Sequence, residues 1–306
     1  MLHIVIATHG RQSLLERTLR SLESCKPVSA FGGTLVIENG DRSGAEDVVR
    51  RAAASLQARY LFHPEANKSA ALNAALQELQ EGLLVFLDDD VRVGEGLLRA
   101  YAAARSGVMQ GVFFGGPVHA EFEVPPAPWL LPYLPPSAKG WIRDPATSAI
   151  TSSIFLGLNW AAFVSDLKAV GGFDPWFGPG STTGSTGQER AMQIRLLEAG
   201  LHGRYVPHAE VWHWIPKERC SPRWALHRAY RDGIRYGLQA TLPADTVRVW
   251  SYPRYAVRSA AEKTIRAIVR SVDPRQEARF KARHECLSAL GFLKGSRLAH
   301  LRSRSS

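Results

Sequence analysis

Three consecutive carboxylates, Asp88, Asp89 and Asp90, follow directly after an apolar run at residues 83–87. Like charges at this spacing repel and raise each other's pKa unless a cation neutralises them. A hard divalent ion does this, and Mg²⁺ commonly combines one or two carboxylates with the phosphate oxygens of a substrate. The triplet therefore predicts a metal and phosphate site, with a solvated turn or a helix N-terminus as the structural alternative.

The elements that must position this triplet alternate between strand and helix through the first ninety residues. Apolar runs typical of buried strands begin at residues 3, 34, 59 and 83, and helical periodicity covers residues 13–25, 45–58 and 69–81. This alternation predicts an α/β fold with right-handed βαβ units and a mainly parallel sheet flanked by helices. Ligands of such sheets bind beyond the carboxyl ends of the strands, where residues 8–11, 38–41 and 88–90 are expected.

Six segments of the chain occur in an order that resembles the family 2 glycosyltransferases of the GT-A fold. They are "IVIATHGR", "LVIENGD", "NKSAALNAA", "VFLDDDV", "GLNWAAFVSDLKAVGGFD" and "GQERAMQIRLLEAGLHGRYVPHAEVWH". The joint match spans roughly residues 2–215 and is more specific than any one segment. It implies a GT-A type nucleotide-diphospho-sugar transferase domain over residues 1–215, followed by a basic, mainly helical C-terminal extension over residues 216–306.

The resemblance also implies roles for individual residues. It places Thr8, His9 and Arg11 in the nucleotide pocket, with His9 against the base and Glu38 at the base edge. Lys68 is implied to contact the nucleotide, and Asp88 to hold the ribose with Asp89 beside it in the nucleotide site. Asp90 is implied to bind the metal that bridges the two phosphates. Mn²⁺ or Mg²⁺ is the implied cofactor, and a nucleoside-diphosphate sugar is the implied co-substrate.

The catalytic base implied by the resemblance is Glu189, six residues before Arg195, which also matches the family pattern. The family commonly has Glu-Asp at this point, whereas this chain has Gln188 and Glu189. Glutamate can accept a proton as aspartate does, but its extra methylene displaces the carboxylate.

Two further residues each have two interpretations. His213 resembles a downstream histidine that completes the metal shell in some GT-A enzymes, and imidazole suits Mn²⁺ better than Mg²⁺. The alternative is a histidine hydrogen-bonded against Trp212 or Trp214. Asn159 is expected to contact the acceptor, with capping of a turn as the alternative.

The implied activity is an inverting transfer of a sugar, with a UDP-sugar as the favoured donor, to an acceptor hydroxyl in polysaccharide, glycolipid or other glycoconjugate synthesis. The acceptor is a saccharide, a lipid-linked molecule or a small molecule. A nucleotidyltransferase would share the aspartates and the sheet, but "ATHGRQS" is poor in the glycine that such enzymes carry after the first strand. A catalytically inactive sugar-nucleotide-binding scaffold is the second alternative, which Glu189 favours by replacing the usual aspartate.

The positive charge of the chain is concentrated in its C-terminal third. The net charge is +10, yet residues 217–306 carry 20 Lys and Arg against 7 Asp and Glu. This excess predicts either a solvated helical face or contact with an anionic membrane or a lipid-phosphate acceptor. Nucleic acid is not expected, because no binding motif accompanies the charge.

The expected location is the cytoplasm, with peripheral contact at the inner face of the membrane. The three cysteines lie far apart and fit neither a disulfide framework nor a zinc site, and no secretory leader is recognised. The longest apolar stretch, residues 154–164, is about half of the roughly 20 residues that a spanning helix needs.

Overall fold

A computed structural model of the protein describes residues 1–108, 110–144, 154–243 and 245–304. The chain forms two compact units. Unit 1 comprises Met1–Glu121, Pro136–Pro175 and Gln188–Trp214, and unit 2 comprises Phe122–Pro135, Trp176–Gly187 and Ile215–Ser306. Two short segments that precede residue 215 thus belong to unit 2, and the boundary expected at residues 215 and 216 stays a prediction.

Within the described residues, ten strands and seven α-helices build unit 1 and its borders. The strands are β1 (Leu2–Thr8), β2 (Phe31–Asn39), β3 (Arg59–His63), β4 (Leu83–Asp88), β5 (Val91–Val93), β6 (Val112–Gly115), β7 (Val118–Phe122), β8 (Asn159–Phe163), β9 (His202–Tyr205) and β10 (Val211–Ile215). The helices are α1 (Gln12–Glu23), α2 (Ala45–Leu56), α3 (Lys68–Glu78), α4 (Leu97–Ala104), α5 (Pro136–Lys139), α6 (Val164–Ala169) and α7 (Gln188–Glu198).

The central sheet has seven strands in the order β3-β2-β1-β4-β8-β6-β9. Strands β1 to β4 are mutually parallel, whereas β8 runs antiparallel to both β4 and β6. Side chains of β1 alternate between two cores: Ile4 and Ile6 pack in one cluster with residues of α1 and α2, and Val5 and Ala7 in another with residues of α3 and α7. Burial on both faces explains the continuous apolar runs, and the predicted α/β fold with a mainly parallel sheet is confirmed.

A second sheet, in the order β5-β10-β7, was not predicted from the sequence. Strand β10 pairs antiparallel with β5, so that His213 lies opposite Val91 and the backbone N–H of Trp214 donates to the carbonyl of Asp90. Side chains alternate along β10, with His213 buried and both Trp212 and Trp214 half-buried. This pairing brings His213 next to the aspartate triplet.

Unit 2 is mainly helical. It contains α8 (Pro222–Gln239), a hairpin of β11 (Arg248–Val249) and β12 (Tyr252–Pro253), α9 (Arg254–Val269) and α10 (Gln276–Arg302). Helices α8 and α10 cross at positions where both helices have glycine, so their backbones approach closely. A Cβ added to Gly233 would lie 2.2 Å from the carbonyl oxygen of Ser288. Over the described ranges, no helix is long and apolar enough to cross a membrane.

The Gly/Ser/Thr-rich loop at residues 178–187 is anchored within unit 2. The Arg231 guanidinium donates to the carbonyls of Gly184 and Ser185, and the Thr186 hydroxyl donates to Asp232. The sequence is compatible with either a lid or a simple linker here, and the structure shows a loop that is tied to α8.

Candidate functional site

The carboxyl ends of the parallel strands bring the predicted nucleotide residues to one edge of the central sheet. Thr8 is in register with Glu38 on β2, and Ala7 is in register with Asp88 on β4. Because the ends of parallel strands share an edge, residues separated by tens of positions in sequence become neighbours.

Asp89 and Asp90 lie buried behind this edge and share one cation, Arg11. The Arg11 Nη1 atom is 2.9 Å from Asp89 Oδ1 and 2.9 Å from Asp90 Oδ2, and the Thr8 hydroxyl donates to Asp89 Oδ2 over 2.7 Å. Burial raises the pKa of Asp89 to about 6, although the charge of Arg11 opposes this rise. Part of the cation requirement of the triplet is therefore met by the protein itself.

Thr18 on α1 hydrogen-bonds to the backbone of the triplet, and it was not predicted from the sequence. Its hydroxyl is fully buried and lies 3.0 Å from the carbonyl oxygen of Asp89 and 2.7 Å from that of Val91. Its position among the leucines of an amphipathic helix gives no sequence signal for this contact.

Lys68 joins two carboxylates that are far apart in sequence. It begins α3, where the Asn67 side chain caps the helix by accepting from two backbone N–H groups. Its Nζ atom lies 2.5 Å from Asp88 Oδ1 and 2.8 Å from Glu189 Oε1. Burial alone would lower the pKa of Lys68, but the two carboxylates outweigh it and raise that pKa, so the ammonium stays charged.

Glu189 lies in the first turn of α7 with only 8% of its surface exposed. The Gln188 side-chain amide donates to Glu189 Oε1 over 2.6 Å. A Cβ on Gly157 would lie 2.5 Å from the carboxyl carbon of Glu189, so the longer side chain fits only beside glycine. The structure thus places Glu189 in one ion cluster with Lys68 and Asp88, and its catalytic role stays a prediction.

Glu38 and His9 lie at the end of the pocket predicted for the base. Glu38 accepts hydrogen bonds from the backbone N–H and hydroxyl of Ser43 and from the Tyr60 hydroxyl. Burial raises the pKa of Glu38, but these hydrogen bonds outweigh it and lower that pKa overall. His9 is exposed, with its Nδ1 atom 2.6 Å from the carbonyl oxygen of Asn39. Recognition of the base by these residues stays a prediction.

His213 is buried beside Asp90. Its Nδ1 atom lies 2.7 Å from the backbone carbonyl of Ser137, and its Nε2 atom lies 3.6 Å from Asp90 Oδ1. Burial alone would lower the pKa of His213, but the hydrogen bond and charge of Asp90 raise it. The partner of Nδ1 is therefore the Ser137 carbonyl rather than a neighbouring tryptophan, and the role of His213 as a metal ligand stays a prediction.

The donor set at Asp90 fits a cation only if a substrate supplies further ligands. Among the residues that the structure describes, no three His, Cys, Asp or Glu side chains are grouped as a metal site. Asp90 and His213 provide one oxygen and one nitrogen ligand, and a histidine whose other nitrogen faces a carbonyl is the usual arrangement at metals. These two residues fit an ion shared with phosphate oxygens.

The expectation that Asn159 contacts the acceptor is wrong. Its side chain is fully buried, accepts from the Tyr101 hydroxyl over 2.8 Å, and donates to the carbonyls of Pro117 and Ala209. With both ends of the amide engaged inside unit 1, Asn159 instead ties β8 to α4 and to the segments that precede β7 and β10.

Comparisons with known proteins agree with this architecture. The profile of glycosyl transferase family 2 matches residues 3–119. The succinoglycan biosynthesis protein ExoM of Rhizobium meliloti (strain 1021) is 31% identical over 245 residues, which cover 76% of this chain and 73% of that protein.

Two solved structures share the fold at low sequence identity. The mannosyltransferase PcManGT from Pyrobaculum calidifontis, in complex with GDP-Man and Mn²⁺, superposes with a TM-score of 0.58 at 16% identity, covering 96% of this chain and 86% of that one. Residues 1–349 of S. aureus TarS, in complex with UDP-GlcNAc, give a TM-score of 0.53 at 12% identity, covering 99% and 91%. With the matching profile and the similarity to ExoM, these findings show that the chain belongs to glycosyl transferase family 2 and has the GT-A fold.

Proposed function

We propose that this glycosyltransferase moves a sugar from UDP to an acceptor hydroxyl with inversion at the anomeric carbon. The observation that carries the proposal is the contact of Lys68 with both Asp88 and Glu189 at the strand edge. It puts the carboxylate proposed to hold the ribose and the carboxylate proposed as base within reach of one cation. The UDP-GlcNAc in the TarS structure supports UDP as the nucleotide, and the GDP-Man in PcManGT makes GDP the nearest competitor.

In the proposed mechanism, Glu189 accepts the proton of the acceptor hydroxyl as that oxygen attacks the anomeric carbon. The attack comes from the face opposite the diphosphate, so that a single displacement inverts the configuration, through a transition state with oxocarbenium character. Lys68 is positioned to offset the charge that develops on the leaving diphosphate, and Thr8, Arg11 and Glu38 hold the nucleotide.

The metal requirement is also a proposal. Asp90 and His213 would hold Mn²⁺ or Mg²⁺, which when bound would stabilise negative charge on the diphosphate oxygens. The Mn²⁺ present in the PcManGT structure supports this assignment. Arg11 and Lys68 then orient the carboxylates around the bound nucleotide.

The acceptor is proposed to be a growing saccharide or a lipid-linked saccharide, which the name of ExoM supports. We place this reaction in the cytoplasm, supported by the three free cysteines, Cys25, Cys220 and Cys286. We also propose that the basic residues 217–306 contact an anionic membrane surface, where a lipid-linked acceptor would be found.

The experiment incubates the protein with UDP-glucose, UDP-galactose or UDP-GlcNAc, with Mn²⁺ and a panel of saccharide acceptors. We expect release of UDP and, by NMR, a product whose anomeric configuration is opposite to that of the donor. In a parallel incubation with UTP and a sugar 1-phosphate, release of pyrophosphate would instead identify a nucleotidyltransferase, and nucleotide binding without turnover on any acceptor would identify an inactive scaffold. Either result contradicts the proposal.

A further inference from the structure

Unit 2 exposes large apolar side chains next to an excess of positive charge. Trp250 is 88% exposed at the tip of the β11–β12 hairpin, and Ile265, Ile268 and Val272 are 62%, 66% and 87% exposed at and after the end of α9. Apolar side chains exposed singly are ordinary, whereas several exposed together mark an interaction site.

The hairpin holds Trp250 outward at the expense of backbone strain. Val249 pairs with Tyr252, which leaves Trp250 and Ser251 as a two-residue turn with φ values of 48° and 70°. Such turns favour Asn and Gly, and a bulky side chain at positive φ is strained. Strained residues of this kind cluster at functional positions, so the exposed indole points to a contact outside the unit.

Helix α9 carries its larger apolar side chains on the outside. Its inner face buries the small residues Ala256 and Ala260, and Thr264 lies 3.4 Å from the Cys286 sulfur of α10. A helix on a globular protein normally buries its larger residues and exposes charge. The exposed Val257, Ile265 and Ile268 of α9 follow the helical repeat. Together with Val272, in the 3-10 turn that follows α9, they form what we call the apolar stripe.

The charge around the stripe selects an anionic occupant. Residues 247–275 contain seven Lys and Arg against two Asp and Glu. Arg258 and Arg266 of α9 pair with Glu262 and Glu285 at 2.8 Å and 3.6 Å, yet 83% and 62% of their side-chain surface stays accessible. Long arginine side chains lie along apolar surface while their guanidinium groups reach outward to phosphates. An apolar stripe flanked by arginines, with an exposed tryptophan on the hairpin that precedes the helix, is similar to helices that lie in a membrane interface.

We propose that Trp250 and the apolar stripe insert into the headgroup region of an anionic bilayer, with the arginines of α9 contacting lipid phosphates. This proposal names the residues that make the membrane contact suggested under the proposed function. It rests on that suggested contact and does not depend on the proposed catalytic mechanism. Membrane binding then depends on the insertion of these apolar side chains as well as on the overall positive charge.

The test measures flotation of the full-length protein with vesicles of phosphatidylcholine containing phosphatidylglycerol, and with vesicles of phosphatidylcholine alone. Trp250→Asn removes the indole and places a residue that favours positive φ in the turn, so the hairpin is retained. Ile265→Ser with Ile268→Ser removes half of the stripe, and Ile142→Ser, which alters an exposed isoleucine of unit 1, is the matched control.

We expect binding to anionic vesicles that weakens with salt, as screening shortens to about 8 Å at 0.15 M ionic strength. The affinity of each anchor variant for these vesicles should be at least roughly tenfold lower than that of the wild type, while the control variant should bind as the wild type does. Brominated lipids should quench the fluorescence of the wild type more than that of Trp250→Asn. Circular dichroism confirms that the variants are folded.

Equal binding by the anchor variants and the wild type would overturn the proposal, because charge alone would then suffice. So would equal binding to neutral vesicles, or a dimer in analytical ultracentrifugation that the Ile265→Ser and Ile268→Ser changes abolish. The release of UDP from UDP-sugars is measured on the same samples. Turnover without vesicle binding rejects the anchor alone, and vesicle binding without turnover rejects the glycosyltransferase mechanism alone.

Discussion

Lys68 is the residue through which the proposed chemistry is assembled. Its ammonium group contacts Asp88 at the end of β4 and Glu189 at the start of α7. The sequence predicts all three residues as parts of the site through resemblance, and the strand pattern explains why Asp88 lies at the edge of the sheet. The contact with Glu189 could not be predicted, because it joins residues 121 positions apart through the packing of α7.

Replacing Glu189 by Gln tests the catalytic assignment. Glutamine keeps the shape of the side chain and can still accept a hydrogen bond from Lys68, but it cannot take a proton. We expect kcat to fall roughly 10²-fold or more, the usual scale of general-base catalysis, while donor affinity and melting temperature change little. Steady-state kinetics and calorimetry measure these quantities.

The matched control is Glu198→Gln, which changes an exposed carboxylate at the end of the same helix. It should leave kcat unaltered. If Glu189→Gln retains turnover within a few-fold of the wild type, the base is another residue.

Glu38 should make the free energy of unfolding depend on pH. Its hydrogen bonds from Ser43 and Tyr60 outweigh burial and hold its pKa below the ordinary 4.5. A carboxyl group with a lowered pKa in the folded state stabilises the protein fully above pH 4.5, and this contribution is lost as the pH falls through the lower folded value. We therefore expect Glu38→Gln to lower the free energy of unfolding at pH 7 by more than at pH 3. Urea titrations at the two pH values measure the difference, and an equal effect at both would argue against it.

At the scale of elements, local pattern and non-local pairing were predictable to different degrees. The first four strands and three helices follow from apolar periodicity, and their observed bounds lie within a few residues of those expected. The pairing of β10 with β5 was missed because β5 has only three residues and its partner follows more than a hundred residues later. Asn159 was misassigned because a buried amide and one that contacts a ligand have the same residue type.

The close crossing of α8 and α10 can be tested by whether a Gly to Ala substitution raises or lowers the free energy of unfolding. A Gly to Ala change inside a helix usually stabilises it by about 1 kcal/mol. At Gly233 the new methyl group would lie 2.2 Å from the Ser288 carbonyl oxygen, so we expect Gly233→Ala to lower the free energy of unfolding by about 1–3 kcal/mol instead. Urea unfolding followed by circular dichroism measures it.

Gly96→Ala is the control for this prediction, because its nearest neighbour, the His208 carbonyl oxygen, is 3.5 Å from the added Cβ. Because Gly96 is the N-cap of α4, where Ala is less favourable than Gly, that variant should lose some stability, but less than Gly233→Ala. A stabilised Gly233→Ala protein would mean that the two helices lie further apart than described.

At the scale of the whole molecule, nucleotide binding should change the stability of the folded protein. A nucleotide that occupies the strand edge of unit 1 must raise the stability of the folded protein, since a ligand of the native state adds RT ln(1 + [L]/Kd). The proposed ligands of the metal are Asp90, in the turn between β4 and β5, and His213, on β10, which pairs with β5. Binding should therefore depend on both the base and the cation.

The most direct measurement is the melting temperature of the protein with UDP, GDP, dTDP or ADP, each with and without Mn²⁺ or Mg²⁺. We predict that UDP with Mn²⁺ gives the largest increase and that Asp90→Asn, which should remain folded, loses the part of the increase that requires the metal. No increase with any nucleoside diphosphate would contradict the nucleotide site, and an unchanged UDP response in Asp90→Asn would contradict the assignment of Asp90 to the metal.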